Sequence, residues 1–252
     1  IAKLSGHGKL LLDAAKEDFS VELLMGSQPF FRATGNTQQL DFSLTLPQLQ
    51  GLEILLPPGQ LPEQLQAASG VKASGRLARQ SNGWAGNLQL SADKVVLPTL
   101  TSQALDCRGS VQLAADQLGF QQTNCRFGLA HSAGLTAQGT AELAGEVSSQ
   151  QFSLTIKQLS LAHLNYSSPD GQSGVGDASI TVRGDISGNQ AHEPLALNLS
   201  GTLRAKEVLV GTFYADLSAY AANFSLSGDL LPATLQLNAQ PLTIELPQIG
   251  RL

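Results

Sequence analysis

Leu40-Asp41-Phe42-Ser43-Leu44-Thr45-Leu46 decides the fold, because apolar residues take every second position and polar ones fill the gaps. Successive side chains of a β-strand point to opposite faces, so this segment is a strand with one oily face and one wet face. The same period of two returns at Leu88-Leu90, Leu105-Cys107, Leu135-Ala137, Phe152-Leu154-Ile156, Ile180-Val182, Leu195-Leu197-Leu199, Leu235-Leu237 and Leu242-Ile244-Leu246. The chain therefore reads as all-β, an elongated, twisted antiparallel sheet with one apolar face.

Short punctuators separate the strands: Gly35-Asn36, Ser81-Asn82-Gly83, Asp116, Pro169-Asp170-Gly171, Gly188-Asn189 and Gly228-Asp229, all suited to tight turns. Leu61-Pro62-Glu63-Gln64-Leu65-Gln66-Ala67-Ala68 breaks the pattern. Its leucines lie at i and i+4, Pro and Glu stand in a first turn, and Gly70 follows, which predicts one short helix over 61–68. That insertion, near 58–70, is where an otherwise continuous segment spanning 1–252 would divide. Ser-Gly-x-Leu recurs at Ser74, Ser200 and Ser227, but the irregular spacing implies repeated hairpins and no fixed-period solenoid. Apolar parity slips between Ile156 and Leu159 and between Leu203 and Val208, as bulges or strand ends would produce. About 17 strands at 4.7–4.9 Å spacing would make a sheet roughly 80 Å long, a rod or trough and not a ball.

Composition narrows the classes. Of 252 residues, 42% are hydrophobic and only 14% charged, too apolar for a disordered chain. No run approaches about 18 apolar residues, so no bilayer-spanning helix is expected in this segment. The chain opens on Ile1 without a basic-then-apolar leader, which reads as a mature chain or a piece of a longer one. A net charge of −5 with scattered basic residues speaks against a nucleic-acid partner. Leu supplies about one residue in six, beside one Trp and three Tyr, so any core is thin. A sheet with one oily face must pair it with a second sheet, close into a barrel, or curl over something apolar.

The two cysteines, Cys107 and Cys125, flank the turn at Ala115-Asp116. Pairing Leu113 with Leu118 and Val111 with Phe120, with one bulge residue near Gln121-Gln122, sets Cys107 opposite Cys125 and Leu105 opposite Phe127. A cross-strand disulfide is sterically feasible there and would point to an oxidising compartment such as a periplasm; two buried free thiols are the alternative.

Residues for chemistry are sparse. His7, His131, His163 and His192 lack the spacing of a zinc site, and no metal or other cofactor is expected. Gly6-His7-Gly8-Lys9 lacks the ending of a phosphate loop, and no Gly-x-Ser-x-Gly elbow occurs. Asp170 and Asp177 flank a loop without the ligand alternation of a calcium site, and Arg183-Gly184-Asp185 fits inside or beside a hairpin. General acid–base work has no candidate, and no enzymatic activity is expected. What is abundant is a stripe of Phe42, Leu44, Leu46, Leu88, Leu90, Leu105, Phe127, Leu129, Phe152, Leu154, Ile156, Leu195, Leu197, Leu199, Leu235 and Leu237, the lining suited to a long, featureless apolar partner such as an acyl chain.

Leu61-Pro62-Glu63-Gln64-Leu65 leading into Ala73-Ser74-Gly75-Arg76-Leu77, then Gly86-Asn87-Leu88-Gln89-Leu90-Ser91-Ala92 and Leu135-Thr136-Ala137-Gln138-Gly139-Thr140-Ala141-Glu142-Leu143, carry a resemblance. The texture resembles the AsmA-like superfamily of bacterial envelope proteins, especially its TamB-type periplasmic repeats. The resemblance implies a curled β-groove that carries phospholipids across the periplasm toward the outer membrane. It further implies envelope protein partners at the ends of a longer chain anchored in the inner membrane. An alternative is a periplasmic scaffold similar to the N component of type II secretion, without lipid transport. An outer-membrane barrel would need aromatic girdles that this composition cannot supply. An adhesin-like sandwich would bury the stripe between two sheets.

Overall fold

The computed structural model describes residues 9–13, 18–25, 27–48, 68–96, 101–131, 134–148, 150–189, 196–229 and 236–239. These form β1 (Lys9–Asp13), β2 (Asp18–Met25), β3 (Gln28–Gly35), β4 (Gln39–Gln48), β5 (Ala68–Gln80), β6 (Gly83–Val96), β7 (Thr101–Leu113) and β8 (Gln117–Ala130). Then follow β9 (Thr136–Ser148), β10 (Gln151–Ser167), β11 (Ser173–Asn189), β12 (Ala196–Arg204), β13 (Glu207–Val210), β14 (Phe213–Asp216), β15 (Ala222–Asp229) and β16 (Gln236–Ala239). All belong to one 16-stranded antiparallel sheet that, among the described residues, does not close into a barrel. The described strands thus number one fewer than the alternation predicts; the last alternating run, Leu242-Ile244-Leu246, lies outside the described residues. The sheet follows chain order from β1 to β12, then β15 and β16, while the β13–β14 hairpin pairs beside the first residues of β11. At the usual spacing that path is about 60 Å long.

Turn chemistry sets most of the hairpins. Asn36 accepts the backbone N–H groups of Gln38 and Gln39, both at 2.9 Å, between β3 and β4. Ser81-Asn82 links β5 and β6 as a two-residue turn, and the Asp170 carboxylate accepts from Ser168 Oγ and the Gln172 N–H at the β10–β11 turn. Two expected turns are strand ends instead: Gly188 pairs with Phe152 and Gly228 with Leu197, so both glycines belong to the ladder. The predicted helix falls on 61–67, outside the described residues, except that Ala68 opens β5 and pairs with Val95. Gly70, read as its stop, is a left-handed residue (φ +63°) within β5. β4 and β5 pair directly from Gln39↔Ala78 to Gln48↔Ser69, so the sheet runs unbroken past that insertion.

Register gathers the apolar residues into rows that cross the strands. Paired residues share a face, so one row reads Leu23, Phe31, Leu44, Ala73, Leu90, Cys107, Cys125, Ala141, Leu159, Val182, Gly201, Phe224 and Ala239, from β2 to β16. A second row runs from Phe19 through Leu40, Leu77, Val111, Phe120, Leu154 and Ile186 to Leu197 and Gly228. Neither row contains a polar side chain. Between them lies a third, through Phe42, Gly75, Leu88, Leu143, Ile156, Leu199, Leu226 and Leu237, interrupted by Thr123.

Bulges keep these rows in phase. The predicted slip after Ile156 is a register shift to Leu159, and that after Leu203 is the break at Ala205-Lys206 between β12 and β13. Further shifts coincide with left-handed Ala104, Gln122, His163 and Asp177. Each extra residue returns the next apolar side chain to the common face and bends the strand.

Burial is greatest toward one margin. Phe30, Leu46, Ala68, Val71 and Ala92 form one packed cluster, and Ala137, Leu164 and Ala178 another. All described strands lie in this one sheet and, beyond hydrogen-bonded neighbours, make no more than marginal backbone contact, so among the described residues there is no separate second sheet. The accessible surface, 16698 Å², is more than half as large again as the roughly 10,600 Å² expected of a compact protein of this mass.

Candidate functional site

Every described member of the predicted lining set lies on the apolar face, brought there by the register; Leu195 and Leu235 lie outside the described residues. The members differ in what they can offer a partner. Leu46 (0% exposed), Ile156 and Leu197 are buried against their neighbours and hold the sheet together. Leu90 (37%) and Leu237 (67%) stand open to solvent, and Phe42, Leu44, Leu88, Leu105, Phe127, Leu129, Phe152, Leu154 and Leu199 are half-buried. Ser102, between Val95 and Leu129 in register, carries a buried hydroxyl without a hydrogen-bond partner.

Glycines occupy several positions of this face where the alternation calls for a side chain, and phenylalanines fill them from the adjacent strand. A Cβ built on Gly75 would meet the Phe42 ring at 2.8 Å, and one on Gly145 the Phe120 ring at 2.7 Å. Gly201 lies under Phe224 and Gly139 under Phe127 in the same way. All four are direct register pairs. No local sequence pattern marks these pairs, because a ring and its glycine come together only once the register is known.

At the middle of the face Cys107 and Cys125 form a disulfide across β7 and β8, with Cα atoms 4.0 Å apart. The predicted pairs Leu113↔Leu118 and Val111↔Phe120 and the bulge at Gln122 are present. Leu105 does not pair directly with Phe127, because a second bulge at Ala104 shifts the ladder between Asp106↔Arg126 and Gln103↔Gly128.

Compared with family models, characterised proteins and solved structures, the chain matches none. The AsmA-like resemblance rests on sequence texture alone.

The opposite face is polar and ion-paired. Arg32 binds Glu22 and Arg76 binds Asp41, each at 2.6 Å, and Arg108 reaches Asp106 at 3.1 Å. Asp41 raises the Arg76 pKa through its hydrogen bond and its charge. A concavity of about 880 Å³ is an open furrow on this side, where the three arginines stand among Ser43, Ser74, Asn87 and Gln89. Each cation there already has a carboxylate partner, and exposed pairs of this kind contribute little.

Of the remaining sequence candidates, His7 and His192 lie outside the described residues, and others make structural contacts. His163 and Asp177 hydrogen-bond at 3.1 Å on adjacent bulges, and Arg183-Gly184-Asp185 lies inside β11, where Asp185 accepts from the Thr155 hydroxyl. The Asp170 carboxyl is held below its ordinary pKa by Ser168 and then by the Gln172 N–H. Asp216 is held below it by the backbone and side chain of Ser218. Among the described residues no three His, Cys, Asp or Glu side chains could hold a metal ion. No described helix is long and apolar enough to cross a membrane.

Proposed function

We propose that the apolar face binds lipid acyl chains, and that the protein is a groove segment of AsmA-like character supporting phospholipid transport between the inner and outer membranes. The observation that carries the reading is the pair of rows that cross the sheet from β2 to β15 without a polar side chain. A protein partner of comparable extent would be met by about one hydrogen bond per 100–200 Å². A hydrocarbon chain asks for none.

Neighbouring rows are two residues apart along each strand, about 6.8 Å, so shallow lanes run between them along the length of the sheet. A chain lying in a lane gains about 0.8 kcal/mol per buried CH₂, and equivalent positions recur every strand, so it is held firmly yet slides with little barrier. The Cys107–Cys125 disulfide suits an oxidising compartment, which supports a periplasmic location.

The test is to express the protein with export to the periplasm, purify it without detergent, and extract bound lipid for mass spectrometry. Phospholipid at one or more molecules per chain is expected. Lipid-free protein whose apolar face is sealed by a second copy or another protein would overturn the reading.

A further inference from the structure

Resting on the acyl-chain reading, we propose that the Phe–Gly cross-strand pairs are positioning elements that keep the lanes clear, and that Phe127–Gly139 sets the clearance on β8 and β9. Four rings, Phe42, Phe120, Phe127 and Phe224, each lie over the glycine opposite on the neighbouring strand. A ring laid toward its cross-strand neighbour points along the row. It occupies the space the glycine leaves empty and stays out of the lane beside it. Cross-strand aromatic–glycine contacts also stabilise sheets, so the two roles must be separated by what each predicts.

Gly139 is the position that separates them. At Gly75, Gly145 and Gly201 an added Cβ would meet a backbone carbonyl of the adjacent strand as well as the ring, so substitution there would disturb the ladder itself. At Gly139 the three nearest atoms are Cδ2, Cε2 and Cζ of Phe127, the outer part of a side chain that can rotate away. Gly139→Ala therefore leaves the backbone in place and evicts the ring from its row. The displaced ring has two places to go, upward from the face or sideways into a lane, and either narrows the path of a hydrocarbon chain.

The experiment is a fluorescence titration with cis-parinaric acid on the intact, oxidised protein, alongside circular dichroism and thermal melting. Gly139→Ala should weaken parinarate binding about tenfold, the effect of one overpacked contact. Phe127→Ala/Gly139→Ala should bind severalfold more tightly than Gly139→Ala, since the obstructing ring is gone. A purely stabilising role for the pair predicts the reverse, a lower melting temperature with unchanged affinity in Gly139→Ala and no rescue in the double variant; that result overturns the proposal and leaves the acyl-chain reading standing. Wild-type protein that does not bind parinarate refutes the acyl-chain reading first and this inference with it.

Discussion

Leu90 is the sharpest place to test the apolar face. It stands in the row that reaches from Leu23 to Ala239, with Ala73 and Cys107 as its short register partners, so its side chain rises above its surroundings. At 37% exposed, about two-thirds of it is buried, and full burial of a leucine gives roughly 1.5–3 kcal/mol, so Leu90→Asp should cost about 1–2 kcal/mol of stability. The new carboxylate can stay hydrated because position 90 is open to solvent. A bound acyl chain fares worse: losing contact with about three CH₂ groups removes about 2.4 kcal/mol, roughly a 60-fold loss of affinity. Urea unfolding would measure the first quantity, and phospholipid recovered per chain, with parinarate affinity, the second. Gln89→Asp places the same charge one residue away on the polar face and should change neither. Folded Leu90→Asp protein that retains its full complement of phospholipid would refute the reasoning, as would an equal loss in Gln89→Asp.

Replacing Cys107 and Cys125 with serine should lower stability by about 3 kcal/mol, the value for closing a loop of this length, and abolish the effect of reductant on the urea midpoint. Asp170 and Asp216 bind protons less readily folded than unfolded, so their contribution is complete above the ordinary aspartate value of 3.8 and drains away as pH falls through it toward the lower folded pKa. Both are fully exposed, so the effect is small; Asp170→Asn/Asp216→Asn should flatten the acid limb of melting temperature against pH. Asn36→Ala removes the acceptor for two N–H groups and should cost about 1 kcal/mol in thermal unfolding.

The strands and their facing were legible because a period of two leaves no freedom: once Phe42, Leu44 and Leu46 share a face, so must their cross-strand partners. The disulfide was legible for the same reason, since counting back from the Asp116 turn with one bulge sets Cys107 against Cys125. Local composition failed where pairing overrides it. Gly188 and Gly228 look like turn residues but lie opposite Phe152 and Leu197, and the bulge at Ala104 carries no residue that announces a left-handed conformation. Of the candidate site, the membership of the face was readable and its relief was not. That Leu46 is enclosed while Leu90 is open depends on which neighbours the register brings beside each, and the same holds for a glycine roofed by a ring.

Strands whose backbone contacts are almost all with their hydrogen-bonded neighbours make this protein thermodynamically one-dimensional, a zip and not a knot. Cohesion passes from each strand to the next, so injury to one hairpin should stay local, and melting should begin at the short outermost strands, β1 and β16. Adding or excising a hairpin anywhere changes the length by about 9.6 Å and leaves both faces in register, because two strands restore the chain's original direction. The span of such a molecule is set by how many hairpins its gene encodes.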